Sequence, residues 1–183
     1  MSRLHHHSFR TTAVDGKMLR EERANQFKEE FVRNNEPVIN GSALFDQMEY
    51  QEWLDYNRNN RNPATVSPEW VPATTFFAVR KADDRIVGMV DIRHHLDHPF
   101  LAAYGGHIGY AVRPSERKKG YATHMLKMAL EYAHALGITK IMLGCYADNT
   151  ASVRTITKCG GIFTESKLYP DGKPINMYWI MRD

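Results

Sequence analysis

Apolar residues recur along the chain with two periods. Between 120 and 136, Ala122, Met125, Leu126, Ala129, Leu130, Ala133 and Leu136 fall three and four apart, the spacing of one helix face. Gly137 follows, where a helix commonly ends in a left-handed residue. Two earlier segments carry sparser helical patterns: 17–34, with Ala24, Phe27 and Phe31, and 45–59, with Phe45, Met48, Trp53 and Tyr56. The stretch 57–73 is polar and then proline-rich, which predicts a connector. It is not expected to be a domain boundary, because the apolar faces of both helices need cover.

The remaining apolar runs are short and predict strands. They lie at 9–14, at 75–80 ("TFFAVR"), at 85–93 ("RIVGMVDIR") and at 107–112 ("HIGYAV"), the last stopped by Pro114. "KADD" makes the second and third a hairpin, and 94–106 reads as a loop. A strand at 138–146 precedes a short helix, capped by Asn149 or Thr150, that reaches Cys159 and ends at Gly160 and Gly161. "IFTESKLY" and "INMYWIM" flank "PDGKP", a turn by its proline, aspartate and glycine. The final strand, "INMYWIM", is expected to be exposed, and could join the sheet of a second copy in a homodimer. The order of elements predicts a mixed α/β fold with no internal repeat.

A chain of 183 residues, 43% hydrophobic, suits one domain spanning 1–183 with a real core. Residues 1–9, with the cluster His5, His6 and His7, are expected to be a disordered polar start. Residues 15–60 supply the N-terminal helices and 75–183 the core. The two cysteines, Cys145 and Cys159, form neither a disulfide framework nor a metal-ligand spacing. They read as reduced thiols of a cytoplasmic protein, and no metal is expected. No signal peptide or membrane span is apparent. The net charge of +3 is a mild excess, and no basic stripe interleaved with aromatics argues for nucleic acid.

Charge is densest at Arg117, Lys118 and Lys119, within "SERKKGYA" (115–122). A strand comes before this loop and a helix after it. A helix N-terminus offers unpaired N–H groups and the positive end of its dipole, and Gly120 has no side chain to obstruct a phosphate. No G-x-x-x-x-G-K-[ST] or G-x-G-x-x-G occurs, so neither a P-loop nor a dinucleotide fold accounts for the loop.

Strand "IGYAVRP", then "RKKGYA", an apolar helix, a strand and "NTASVRTITKCGG" resemble the GNAT superfamily of acetyl-CoA-dependent N-acetyltransferases. Arg117, Gly120 and Ala122 occupy its signature [QR]-x-x-G-x-[GA]. "GGHIGYAVRPSERKKGYA" further resembles a bacterial group described only as predicted acetyltransferases. The resemblance implies an α/β (α+β) fold: a mixed, largely antiparallel sheet, split in a V between two central strands, with helices on both faces. It implies acetyl-CoA as donor, its pantetheine arm on the backbone of Tyr110, Ala111 and Val112. The pyrophosphate would lie on Lys118, Lys119, Gly120, Tyr121, Ala122 and Thr123, beside Arg117. Asn149 and Ser152, from "N-x-x-S", would contact the cofactor, and Asn149 is also a natural helix cap.

The implied reaction is direct attack of a primary amine, on a small molecule or peptide, on the thioester in a ternary complex. Such an amine, with a pKa of about 10.4, must lose a proton. Many relatives protonate the leaving thiolate with a tyrosine seven residues after the asparagine. That position is Ile156, which donates nothing. Cys145, Tyr146, Ser152 and Tyr178 are the candidate replacements, with solvent as another. His107 is the candidate base, although strand alternation argues that it faces away from the pocket. Arg93, His94 and His95 are candidates to line the acceptor pocket. The departure at Ile156 leaves a second reading open, a GNAT-fold module that binds acyl-CoA without efficient turnover.

Overall fold

The computed structural model of the chain describes residues 9–13 and 21–182. The expectations for residues 1–8, for 14–20 and for Asp183 lie outside the described residues. Within them, β1 (Phe9–Ala13), β2 (Ala73–Arg80), β3 (Ile86–Arg93) and β4 (Ile108–Val112) form one antiparallel sheet in that order. A second antiparallel sheet has the order β5 (Lys140–Tyr146), β7 (Pro174–Met181), β6 (Ile162–Leu168). The split falls between β4 and β5, the two strands expected to diverge. It is complete enough that the expected single sheet is two, of four and three strands.

Helices α1 (Glu21–Arg33) and α2 (Tyr50–Asn60) cover one face of the first sheet. α1 turns Ala24, Phe27 and Phe31 inward, as their spacing predicts. α2 begins later than the pattern suggested, because Glu49 just before it is extended, at φ −68° and ψ 153°, which separates Phe45 and Met48 from the helix. Phe45 packs all the same, its ring 4.5 Å from that of Trp53. The Trp53 indole N–H donates to the carbonyl of Ser42 at 2.8 Å, fixing the segment before α2.

Helices α3 (Tyr121–Ala135) and α4 (Thr150–Lys158) lie against the main core. Val90, Ile92 and Ile108 from the first sheet meet Ile141, Leu143 and Tyr178 from the second around Met125, Leu126 and Leu130. Leu126 is fully buried there. Its truncation to alanine would cost roughly 2–5 kcal/mol. α3 therefore joins sheets that share no ladder. The segment 94–106, expected as a loop, contains a π-helical turn, Leu101–Gly105, whose Leu101 is fully buried. The segment also contributes Leu96 and Tyr104 to packing against Met142, Ile175 and Met177 on the outer face of the second sheet.

Strand β7, expected at an exposed edge, is the central strand of its sheet, and the edge is β6. The cause lies in the side chains: Met177, Tyr178 and Ile180 are buried on both faces, as a central strand requires. Among the described residues, no helix is long and apolar enough to cross a membrane.

Candidate active site at the split between the sheets

The two sheets are clasped at one point. The backbone N–H of His107 donates to the Met142 carbonyl at 2.8 Å. The Met142 N–H in return donates to His107 Nδ1 at 3.0 Å. Gly106, at φ 63°, permits this approach: a Cβ there would sit 2.4 Å from the Met142 oxygen. His107 is buried, and burial, followed by the charges of Arg93 and His95, lowers its pKa to about 4. The ring is therefore neutral, with its one lone pair committed to Met142 and its proton on Nε2. This arrangement runs against the expectation that His107 is a base. The residue also precedes β4 rather than opening it.

Beyond the clasp, β4 and β5 exchange no ladder bonds, so each turns an unpaired backbone edge into the split. Tyr110, Ala111 and Val112 lie on the β4 edge. The Tyr110 side chain reaches toward α4, where its hydroxyl and that of Ser152 are 2.8 Å apart. Burial pushes the Tyr110 phenol up to about 12, against the smaller opposing effect of Ser152. Cys145, on β5, is also raised by burial, with Ser152 acting in the opposite direction. Three hydroxyl and thiol groups that hold their protons at neutral pH thus converge between β4, β5 and α4. Ser152 and Cys145 are two of the candidate acids named from the sequence. The Tyr110 side chain was not among them, having been assigned only a backbone contact.

The remaining candidates are placed elsewhere. The Tyr146 hydroxyl donates to Asp171 at 2.8 Å in the β6–β7 turn; burial, then this contact, lift its pKa to about 12. Tyr178 is buried in the main core against Phe163. Ile156, at the position of the missing acid, is also core, and a Cβ at Gly161 would lie 2.4 Å from its side chain.

The basic loop rises from Pro114–Glu116, a 3₁₀ turn, to Gly120, which caps α3 in the left-handed region at φ 84°. A Cβ built on Gly120 meets nothing within 4 Å, so the space before the first turn of α3 is open. The N–H groups of Tyr121, Ala122 and Thr123 lie in that turn, lacking helical partners of their own. The Tyr121 side chain is buried, which leaves its backbone for a ligand. The loop's charge is largely committed. Arg117 forms a two-pronged ion pair with Glu36, at 2.8 and 2.6 Å. Lys119 Nζ donates to the buried Glu116 at 2.8 Å. Lys118, exposed and at φ 64°, has no ion pair among the described residues. Helix α1 anchors the loop through Glu30, which accepts from the Ser115 N–H at 2.8 Å and pairs with Arg113. Burial alone would raise the Glu30 pKa, but these bonds win and hold it at about 2.

Asn149 caps α4, its side-chain oxygen accepting the Ser152 N–H at 3.1 Å. Its amide nitrogen is left for a ligand, so the cap and a cofactor contact are compatible. On the far side of β4, the backbone of Gly41 presses on Gly109, and a Cβ at Gly109 would lie 3.1 Å from the Arg93 guanidinium. Arg93 itself lies 2.8 Å from the buried Asp91. The Thr75 hydroxyl stands between Asp91, at 2.9 Å, and Asn57, at 2.6 Å. Asp91 carried no signal in the sequence, since it sits within a strand. His94 is turned onto Thr74, at 2.9 Å, and His95 onto Asp97.

A split pair of sheets with a backbone cradle at a helix N-terminus defines a class, the acyl-CoA-handling N-acetyltransferase fold. The sequence profile of the acetyltransferase (GNAT) family matches residues 42–161, and the chain belongs to that family. It is accordingly an acetyltransferase that uses acetyl-CoA. Compared with curated proteins, the chain matches none. Among solved structures it is similar to a dodecameric spermidine N-acetyltransferase of Vibrio cholerae, at 16% identity and a TM-score of 0.62, over 95% of this chain and 94% of that one. It is similar to yncA, a putative acetyltransferase of Salmonella typhimurium solved with acetyl-CoA, at 13% identity and a TM-score of 0.63, over 94% of both chains. A putative acetyltransferase of Acinetobacter baylyi is 18% identical with a TM-score of 0.63, over 96% of this chain and 94% of that one.

Proposed function

We propose that the chain is an N-acetyltransferase that moves the acetyl group of acetyl-CoA to a primary amine of a small molecule or peptide, in a ternary complex in the cytoplasm. The observation that carries this reading is the open backbone cradle at Gly120, next to the unpaired edge of β4. The donor's pyrophosphate fits the first-turn N–H groups of α3 with Lys118 beside it. Its pantetheine amides fit the backbone of Tyr110, Ala111 and Val112, as an added strand would. Asn149 and Ser152 would close the other side. The donor supplies an acetyl thioester, already activated toward an amine.

This chain's own residues hold and release protons around it. Tyr110 and Ser152, hydrogen-bonded to each other, are the proton source in place of Ile156. Cys145 is a further protonated neighbour. His107 holds the two sheets together and takes no proton from the amine, which loses its own to solvent. Tyr146 and Tyr178 serve the packing around the site. Gly41 and Arg93, against the far side of β4, border the acceptor's approach.

The buried Ile156 favours a second reading, a module that binds acyl-CoA without turning it over. One experiment separates the two. Thiol release from acetyl-CoA is measured over polyamines, amino acids, aminoglycosides and short peptides, with CoA binding followed by calorimetry. Release that depends on one amine class is expected. Binding without release on every acceptor would support the module, and absence of binding would overturn both.

A further inference from the structure

Strand β3 turns alternate residues to opposite faces of its sheet. Val90 and Ile92 enter the main core under α3, whereas Met89 joins the cluster beneath α1 and α2. By that alternation Asp91 and Arg93 face the α1–α2 side, away from the helix that cradles the donor's phosphates. The Thr75 hydroxyl, standing between Asp91 and Asn57 of α2, agrees with this placement.

From there Arg93 reaches across to β4. A Cβ on Gly109 would lie 3.1 Å from Arg93 Nη1 and 3.2 Å from Nη2, so the bare glycine lets the guanidinium rest on that strand. Gly109 immediately precedes Tyr110, where the backbone segment assigned to the pantetheine arm begins. The arginine is mostly buried, with 15% of its side chain exposed, yet few of its donors are spent. Nε lies 2.8 Å from Asp91 Oδ2, an ion pair outside hydrogen-bonding alignment. Nη1 reaches the Gly105 carbonyl at 3.5 Å, the limit of a bond. Nη2 donates to none of the described residues. The two Nη atoms, the pair that a carboxylate engages through parallel bonds, are therefore largely uncommitted.

The neighbouring charge has the same sign. Burial first, then Arg93 and His95, lower the His107 pKa. For His94, burial is opposed by Asp91 and reinforced by His95 and Arg61. A polyamine, cationic along its length, meets like charge at this end of β3, whereas an amine that also bears a carboxylate meets its complement.

We propose that the acceptor carries a carboxylate close to its amine, as an amino acid does, and that Arg93 is the residue that binds it. This inference rests on the acetyl-transfer reading above and narrows its acceptor. Asp91 holds the guanidinium from behind, and Thr75 and Asn57 hold Asp91. A site built this way rejects an acceptor without the carboxylate, because the mostly buried donors are then left unpaired.

The test is calorimetry of N-acetyl amino acids, the products of such a transfer, on the full chain with and without CoA. The panel spans the common side chains, each acid beside its carboxamide, with acetylspermidine for comparison. At least one acid should bind, and its carboxamide should bind at least about tenfold more weakly. Acetylspermidine should bind more weakly than that acid. Arg93→Gln, whose amide can still reach Asp91, should bring acid and carboxamide within about threefold of each other. Circular dichroism checks that the variant is folded, and the comparison on the unaltered chain stands without it. Binding of none of the acids, equal binding of acid and carboxamide, a preference for acetylspermidine, or a difference that survives Arg93→Gln overturns the proposal. Thiol release from acetyl-CoA is followed separately with the matching free amino acid. A preference for the acid without any release would strike the enzyme reading and leave the role of Arg93 standing.

Discussion

His107 ties the two sheets together as a neutral acceptor, and that role has a pH signature. An ordinary histidine pKa of 6.5 falls to about 4 in the folded chain. A displacement of that size corresponds to about 3 kcal/mol of stability. The sign follows from proton binding. Between the two values the unfolded chain holds the proton and the folded chain does not, so stability rises with pH. The contribution is complete above about pH 6.5 and fades as pH falls toward 4. His107→Gln is the informative variant, because a glutamine oxygen can accept the Met142 N–H without titrating. Urea unfolding of both proteins from pH 4 to 7.5 gives the assay, and the difference between them cancels every other titrating group. That difference should change by about 3 kcal/mol across the window, or roughly 2–4 °C of melting temperature per kcal/mol in a domain of this size. Parallel curves would refute the account. His107→Ala, which leaves a buried N–H unpaired, should cost at least about 1–3 kcal/mol at pH 7.

Three further substitutions probe the site. Gly120→Val imposes φ 84° on a branched residue with no protein atom nearby. It should cost about 1–2 kcal/mol of stability and raise the Kd for CoA at least about tenfold by calorimetry; an unchanged Kd would remove the cradle. Tyr110→Phe should lower kcat about tenfold while leaving CoA affinity nearly intact, since a thiolate needs only partial help. An unchanged kcat would show that the phenol moves no proton. Gly41→Ala drives a Cβ to 2.2 Å from the Gly109 oxygen, at φ 70°. A loss of about 3 kcal/mol or more is expected in thermal unfolding, and an unchanged Tm would contradict the close packing on β4.

What could be read in the sequence was what is local. α3 is legible because Met125, Leu126, Ala129, Leu130 and Ala133, which it buries, are apolar and in period. The loop at Gly120 is legible because strand, basic loop and helix are consecutive. Its electrostatics are not, since Glu36, the partner of Arg117, is 81 residues away. The run of positive charge is therefore much less free than it looked. His107 resisted alternation arguments for a different reason. Those ask which face of a strand a side chain takes, whereas His107 follows a left-handed glycine and bonds the backbone of another sheet. The final strand was expected to be exposed, but burial on both of its faces marks β7 as central, a pairing that sequence order does not display.

The division between the sheets also divides the chain in time. Every strand of the first sheet lies between residues 9 and 112, and every strand of the second between 140 and 181. On a ribosome, the first ladder is complete before any strand of the second has been made. Its inner face, with Val90, Ile92 and Ile108, stays bare until α3 follows it out. α3 is thus the first cover for one sheet and the seat awaiting the next. A nascent chain halted after β4 would show water a sheet with one greasy side, and would be the species a chaperone has reason to hold.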